Sequence, residues 1–244
     1  MTELSICIPT YECRGKGILY LSELFSSLRS QSYQDFEIVI SDHSINNEIF
    51  EFCETQSDLE ITYLRNPNDR GNQGANTNCV LNNAEGKILK VMYQDDLFVD
   101  NFALEKIVQS FDNGARWLMN GFAHTEDGKS FFRHIVPRWT EELLIGRNLL
   151  GSPSCFAILN EYKEEIDENL RLLIDADLYY RLEKKLGKPT IIEDILIANR
   201  EHPDRISSNI QYDIQIQHPE GGWLMNKKEY DYVVNKHQYG KNLL

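Results

Sequence analysis

Apolar and polar positions alternate along the first half of the chain in a regular order. Leu4 to Ile8 is a short apolar run closed by Pro9. Ile18, Leu21, Leu24, Phe25 and Leu28 then recur at helical spacing, which predicts an amphipathic helix over 18–30. Phe36 to Ile40 is a second apolar run, a helical pattern covers 47–56, and Ile61 to Leu64 is a third run. A helix is predicted from Gln73 to Asn83, stopped by Gly86, then a strand from Ile88 to Tyr93 and a helix from Asn101 to Phe111. Strands alternating with helices predict an α/β fold with a mainly parallel central sheet flanked by helices.

The second half is more mixed. Arg116 to Phe122 reads as a strand, and Phe131-Phe132 returns as a hairpin after the turn Glu126-Asp127-Gly128-Lys129. A short helix over 140–146, an apolar run from Cys155 to Leu159 and a helix from Asp175 to Leu186 follow. Ile191 to Ala198 is an apolar run broken by Glu193-Asp194, and the polar tail contains one helix near 223–238. With no repeat, no low-complexity tract and no linker, nothing in the pattern splits the chain, and the tail from about 209 is polar.

In open α/β sheets, ligands collect at the carboxyl ends of the strands. Polar strings stand at three such ends: Pro9-Thr10-Tyr11-Glu12, Ser41-Asp42-His43-Ser44 and Gln94-Asp95-Asp96. The adjacent carboxylates of Asp95 and Asp96 suit a hard cation shared with substrate phosphates, although Asp96 can instead cap the following helix, or both be simple loop acids. Asp42 can accept a hydrogen bond from the imide nitrogen of uracil or thymine, or close an Asx turn with Ser44. Tyr11 can stack on a base or pack on the sheet edge. Arg70 lies in the polar loop Asn68–Gly74, within reach of a phosphate or sugar. Asp175 opens a helix, where Asp is common for dipole reasons alone. His202 is either a metal or phosphate ligand or a surface residue.

Charge narrows the function classes. The 244 residues carry 38 acidic and 25 basic side chains, for a net charge of -13. Such a surface repels nucleic acid in general, and if the substrate is a phosphate ester the excess of carboxylates makes a divalent cation almost necessary. Five cysteines without a C-x-x-C pair indicate neither zinc nor a disulfide framework and point to a reducing, cytoplasmic setting. No leader is visible, and no apolar run approaches the roughly 20 residues needed to span a bilayer. P-loop and dinucleotide fingerprints are both missing.

Taken in order, these clusters resemble the family-2 inverting glycosyltransferases with the GT-A fold. Leu4 to Tyr11 is similar to that family's opening strand and Pro-x-Tyr turn, and Phe36 to Ser44 to its second strand ending in Asp-Asp-Gly-Ser. Gly74-Ala75-Asn76-Thr77-Asn78 resembles the Gly-x-x-x-Ala-Arg-Asn stretch without its Arg. Tyr93-Gln94-Asp95-Asp96 matches the last two positions of the Asp-x-Asp-Asp metal motif, with Tyr93 in place of its first Asp. Gly151-Ser152-Pro153-Ser154 resembles the acceptor-side segment, Ile174 to Leu182 the Glu-Asp-x-x-Leu-x-x-Arg-Leu helix, and Asn199 to His202 the Arg-x-His close.

The resemblance implies an inverting, metal-dependent hexosyltransferase, with a single catalytic domain over 1–208 (nucleotide-binding half 1–98, acceptor half 99–208) and a helical tail at 209–244. It takes a sugar from a nucleotide-diphosphate donor, UDP- or dTDP-linked, to a hydroxyl of a glycan or lipid-linked acceptor in bacterial surface polysaccharide biosynthesis. It implies Asp175 as catalytic base; Pro9, Thr10, Tyr11, Glu12, Asp42, Arg70, Asn78, Gln94 and Asp95 as nucleotide contacts; and Gly151, Ser152, Pro153 and Ser154 around the sugars. Manganese or magnesium would sit on Asp96, Asp95 and His202, with Asp96 sharing it with the diphosphate. A cytoplasmic chain peripheral to the inner membrane face, possible as a homodimer, completes the expectation. The alternatives are a GT-A binding module weakened in catalysis, motivated by Tyr93, and a sugar-1-phosphate nucleotidyltransferase.

Overall fold

The computed structural model describes residues 3–203, 205, 210–217 and 222–238. Its centre is one nine-stranded sheet. Strands β1 (Leu4–Thr10), β2 (Phe36–Asp42), β3 (Ile61–Arg65) and β4 (Ile88–Val91) pair in parallel in the order β3-β2-β1-β4. Every residue of β1, β2 and β4 is buried, as befits parallel strands covered on both faces. Helices α1 (Gly17–Arg29), α2 (Glu48–Glu54) and α3 (Gln73–Asn83) make the crossovers. Leu21, Leu24, Phe25 and Leu28 form the buried stripe of α1, whereas Ile18 lies at its exposed edge.

Beyond β4 the pairing is mixed. The sheet continues through β8 (Phe156–Leu159), β6 (Trp117–Thr125), β9 (Thr190–Arg200) and the two-residue β5 (Leu97–Phe98), while β7 (Phe132–Ile135) pairs antiparallel with β6 as the expected hairpin. Helices α4 (Ala103–Asp112) and α5 (Ile174–Leu186) complete this part. The 140–146 pattern becomes a 3-10 turn at Leu143–Ile145. The tail adds a hairpin of β10 (Ile214–Ile216) and β11 (Trp223–Met225), then α6 (Lys227–His237). The hairpin had no expectation in the sequence, and the expected domain boundary at 208 lies outside the described residues. No helix among the described residues is long and apolar enough to cross a membrane.

The tail packs on the domain rather than trailing from it. Trp223 Nε1 donates to the Ile145 carbonyl at 2.6 Å, and Met225 is buried. Asp177 on α5 receives Arg181 at 2.9 Å, Lys236 at 2.8 Å and His237 at 2.7 Å, the last two from α6.

Two buried polar groups fix the sheet's middle. Glu37 accepts from Ser5 Oγ at 2.6 Å and from the Glu85 amide at 2.8 Å, and the Gly86 amide donates to Ser5 Oγ at 2.8 Å. A Cβ on Gly86 would lie 2.5 Å from Ser5 Oγ and 2.6 Å from the Ser5 amide nitrogen. Gly86→Ala therefore forces β1 to move and should cost about 2–3 kcal/mol, measurable as a lower urea midpoint at unchanged slope. Lys90, fully buried in β4, donates to the carbonyls of Ser154 and, at 3.3 Å, Phe156. Burial lowers its pKa to about 7, and its amine ties the 152–156 segment to the sheet.

Candidate active site

The carboxyl ends of β1, β2 and β4 open onto a cleft of about 650 Å³. Pro9, Tyr11 and Glu12 line it from the end of β1, and Gln94, Asp95 and Asp96 from the turn after β4. Gln94 joins these two strand ends. Its Oε1 accepts from the Tyr11 amide at 2.7 Å, and its Nε2 donates to the Tyr11 carbonyl at 2.9 Å. Arg70 borders the cleft from the loop entering α3, Ser152 and Pro153 from the segment before β8, Asp175 from the first turn of α5, and His202 from the chain after β9. Residues as far apart in sequence as Pro9 and Arg205 thus face one space.

Five expected residues do not line that space. Asp42 is fully buried, and its carboxylate is consumed by the Ser44 amide at 2.8 Å, the Tyr63 hydroxyl at 2.6 Å and the Arg65 guanidinium at 2.9 Å. Of its two sequence readings, the Asx turn is the one formed, and the ion pair with β3 leaves the base contact without a free carboxylate. Thr10 is buried, donating to the Ser41 carbonyl at 3.2 Å. Asn78 turns away from the nucleotide end: it donates to the Ile166 carbonyl at 3.0 Å and accepts from the Ile166 amide at 2.7 Å. Ser154 is buried as the acceptor of the Tyr93 amide at 2.9 Å. Gly151, at φ +105°, lies against Phe122, where a Cβ would come within 2.8 Å of the ring.

The acidic pair has unequal partners. Asp95 Oδ2 lies 2.9 Å from His202 Nε2. Asp96 is buried, accepting from the Arg200 amide at 2.9 Å and from Asn199 Nδ2 at 2.8 Å. Both donors are neutral. The Arg200 guanidinium is turned elsewhere, to the Asp95 carbonyl at 3.0 Å, to Glu23 and over the Tyr20 ring at 4.8 Å. Burial first, and then the Asp95 charge, push the Asp96 carboxyl well above the usual carboxylate range. A divalent cation on this pair would supply the missing positive charge. Among the described residues no group of three His, Cys, Asp or Glu side chains forms a cage, so substrate oxygens and water would complete the shell, as is common for magnesium and manganese.

Asp175 lines the same cleft. Asn148 Nδ2 donates to its Oδ2 at 2.8 Å and the Ala176 amide to its Oδ1 at 2.8 Å. Burial raises its pKa to about 6 against those hydrogen bonds, which makes it a base fit for neutral pH.

Other cleft residues were not singled out from sequence. His43, Ile45, Phe122, His124, Arg171 and Leu172 all line it. His43 follows Asp42 in the same polar string, and burial lowers its pKa, so its imidazole is neutral near pH 7. Asn199 and Arg200 orient Asp96 and Asp95. Their signal was the Asn199-Arg200-Glu201-His202 string, in which only the histidine carried an expected role.

Residues 5–166 match the profile of the family described as Glycosyl transferase family 2. The chain belongs to that family. Its fold is the GT-A fold of solved glycosyltransferases. It superposes on S. aureus TarS 1-349 in complex with UDP-GlcNAc with a TM-score of 0.65 at 17% identity, covering 86% of this chain and 62% of that one. The mannosyltransferase PcManGT from Pyrobaculum calidifontis, in complex with GDP-Man and Mn2+, gives a TM-score of 0.57 at 16% identity, over 81% of this chain and 56% of that one. A curated relative is the Escherichia coli UDP-Glc:alpha-D-GlcNAc-diphosphoundecaprenol beta-1,3-glucosyltransferase WfaP, 31% identical over 99 residues. That match spans 41% of this chain and 38% of the relative. The family match ends at Ile166, so Asp175 and His202 lie beyond it.

Proposed function

We infer that this family-2 chain transfers a sugar from a nucleotide-diphosphate donor to an acceptor hydroxyl with inversion. The observation that carries the reading is the placement of Asp175, an oriented carboxyl with a raised pKa, in the same cleft as the Asp95-Asp96 pair. Asp175 takes the proton from the acceptor hydroxyl as that oxygen attacks the anomeric carbon. Asn148 and the Ala176 amide hold its two oxygens, so the carboxylate keeps one orientation. Asp96 and Asp95, with His202 behind Asp95, would hold manganese or magnesium. That ion, when bound, offsets the charge growing on the departing diphosphate. Tyr11, Glu12 and His43 border the nucleotide end, and Arg70 offers a cation to the phosphates. A binding module would have no use for an oriented carboxyl tuned to about 6, which favours transfer.

A UDP-linked donor is supported by the UDP-GlcNAc complex of TarS and by the UDP-Glc named for WfaP. The WfaP acceptor, a sugar on diphosphoundecaprenol, supports a lipid-linked acceptor here and a place peripheral to the cytoplasmic membrane face, in surface polysaccharide assembly. Calorimetric titration of UDP, dTDP and GDP tests the donor side. UDP should bind at least about tenfold tighter with manganese than without, reflecting one cation-bridged diphosphate. Equal binding with and without metal would remove the metal from the account.

A further inference from the structure

Helix α5 has an unusual start. Its first turn lines the cleft and holds Asp175, yet its N-cap position, Leu173, offers no side-chain oxygen to the orphan amides. The turn that leads into the helix, up to the amide of Leu173 itself, is instead held from α6. Glu229, 9% exposed, accepts from the amides of Arg171 at 3.0 Å, Leu172 at 2.9 Å and Leu173 at 2.9 Å. Three consecutive amides converge on one carboxylate from a segment 56 residues downstream. Arg171 and Leu172 are themselves cleft residues.

We propose that Glu229 is a positioning residue for the catalytic base: it fixes the Arg171–Leu173 turn and thereby the entry of α5 that carries Asp175. The inference rests on Asp175 as base. The rest of α6 points the same way. Lys236 and His237 hold Asp177, and Tyr232 and Lys236 hold Asp167 at 2.8 and 2.5 Å, so the helix clamps the 167–177 segment at several points. A tail outside the family-matched residues therefore completes the active site. Glu229 also sets a negative charge near the base.

The groups facing Asp175 are Asn148, the Ala176 amide, Tyr93 and Tyr179, besides Glu229. Only Glu229 brings a charge that the Glu229→Gln change removes. Loosening the turn admits water to Asp175, and losing the charge relieves repulsion. Both effects favour the ionised carboxylate and lower its pKa.

The test compares parental protein, Glu229→Gln, Glu229→Ala, Glu229→Asp and Asp175→Asn. It measures the Asp175 carboxyl titration by carbon NMR, UDP release from UDP-glucose and UDP-GlcNAc with manganese, and Tm. In Glu229→Gln, the Asp175 midpoint should move below its parental value near 6. Turnover should fall at least about tenfold, with KM for the donor within about twofold, as small displacements of a catalytic group allow. Glu229→Asp should recover part of both. An unmoved midpoint with parental turnover in both Glu229→Gln and Glu229→Ala overturns the inference, as does a turnover loss accounted for by the unfolded fraction. Parental turnover in Asp175→Asn overturns the base assignment and this inference together; an inactive Asp175→Asn beside unaffected Glu229 variants overturns the inference alone.

Discussion

Replacing Asp175 by Asn should abolish transfer while sparing donor binding. General base catalysis contributes about 10²–10⁴-fold, so kcat should fall roughly a thousandfold. Asn keeps the shape and an oxygen for the Ala176 amide, so α5 should start as before. UDP affinity should stay within about twofold, because the change removes none of the residues that would hold the cation. Parental activity should fall as pH drops through about 6, where the base becomes protonated, and the residual activity of the variant should lack that limb. The stability sign follows from the same group. Its folded pKa lies above the ordinary aspartate value of 3.8, so its stabilising contribution is complete below that value and lost as pH rises through about 6. Asn never ionises. The variant should therefore be no less stable than the parent at pH 8, which separates lost chemistry from lost fold. Steady-state UDP release and thermal melts at pH 5 and 8 check both statements.

Asp96→Asn should have the second large effect, on the metal and hence on the donor. The Asp96 carboxylate is buried between neutral donors, with no guanidinium or ammonium on its oxygens. Loss of this negative ligand should weaken manganese-dependent UDP binding by about a hundredfold or more, since even outer partners of metal ligands cost 10–100-fold. The fold should survive. An amide oxygen can still accept from the Arg200 amide, and Asn199 can turn its own amide to meet the new donor. Melting in metal-free buffer at pH 8 should not fall, because a buried charge has been removed. UDP titrations of the two proteins with manganese, and with chelator, measure the difference.

The sequence was most informative where a physical rule acts locally. Strands β1, β2 and β4 are continuous apolar runs because both their faces are covered, and the polar strings that close them mark the cleft. Helix α5 was legible from leucines at four-residue spacing, and Asp175 from its place at the helix start within the family motif. Features made by distant pairings were not legible. Asp42 had two readings until Tyr63 and Arg65, in β3, took its carboxylate. Asn78 lies on the expected helix, but its amide faces the Ile166 backbone rather than the cleft. Lys90 looks out of place in an apolar run until the Ser154 and Phe156 carbonyls are brought to it by β8. Glu229 is one acid in a polar helix, and nothing local marks it as the acceptor for the turn before α5. The acidic pair is intermediate: Asp95-Asp96 was visible as a motif, whereas the orientation of both by Asn199, Arg200 and His202 needed β9 beside β5.

Nucleotide-sugar chemistry in this one cleft is tested most directly by UDP release. Purified protein is incubated with UDP-glucose, UDP-GlcNAc, dTDP-glucose and GDP-mannose, with manganese or with chelator, and free nucleoside diphosphate is quantified. Manganese-dependent release from a UDP- or dTDP-sugar, suppressed by chelator and absent in Asp175→Asn, is the predicted result. No release above the protein-free blank from any of the four donors, in the presence of manganese and a lipid-diphosphate-linked GlcNAc acceptor, would contradict it.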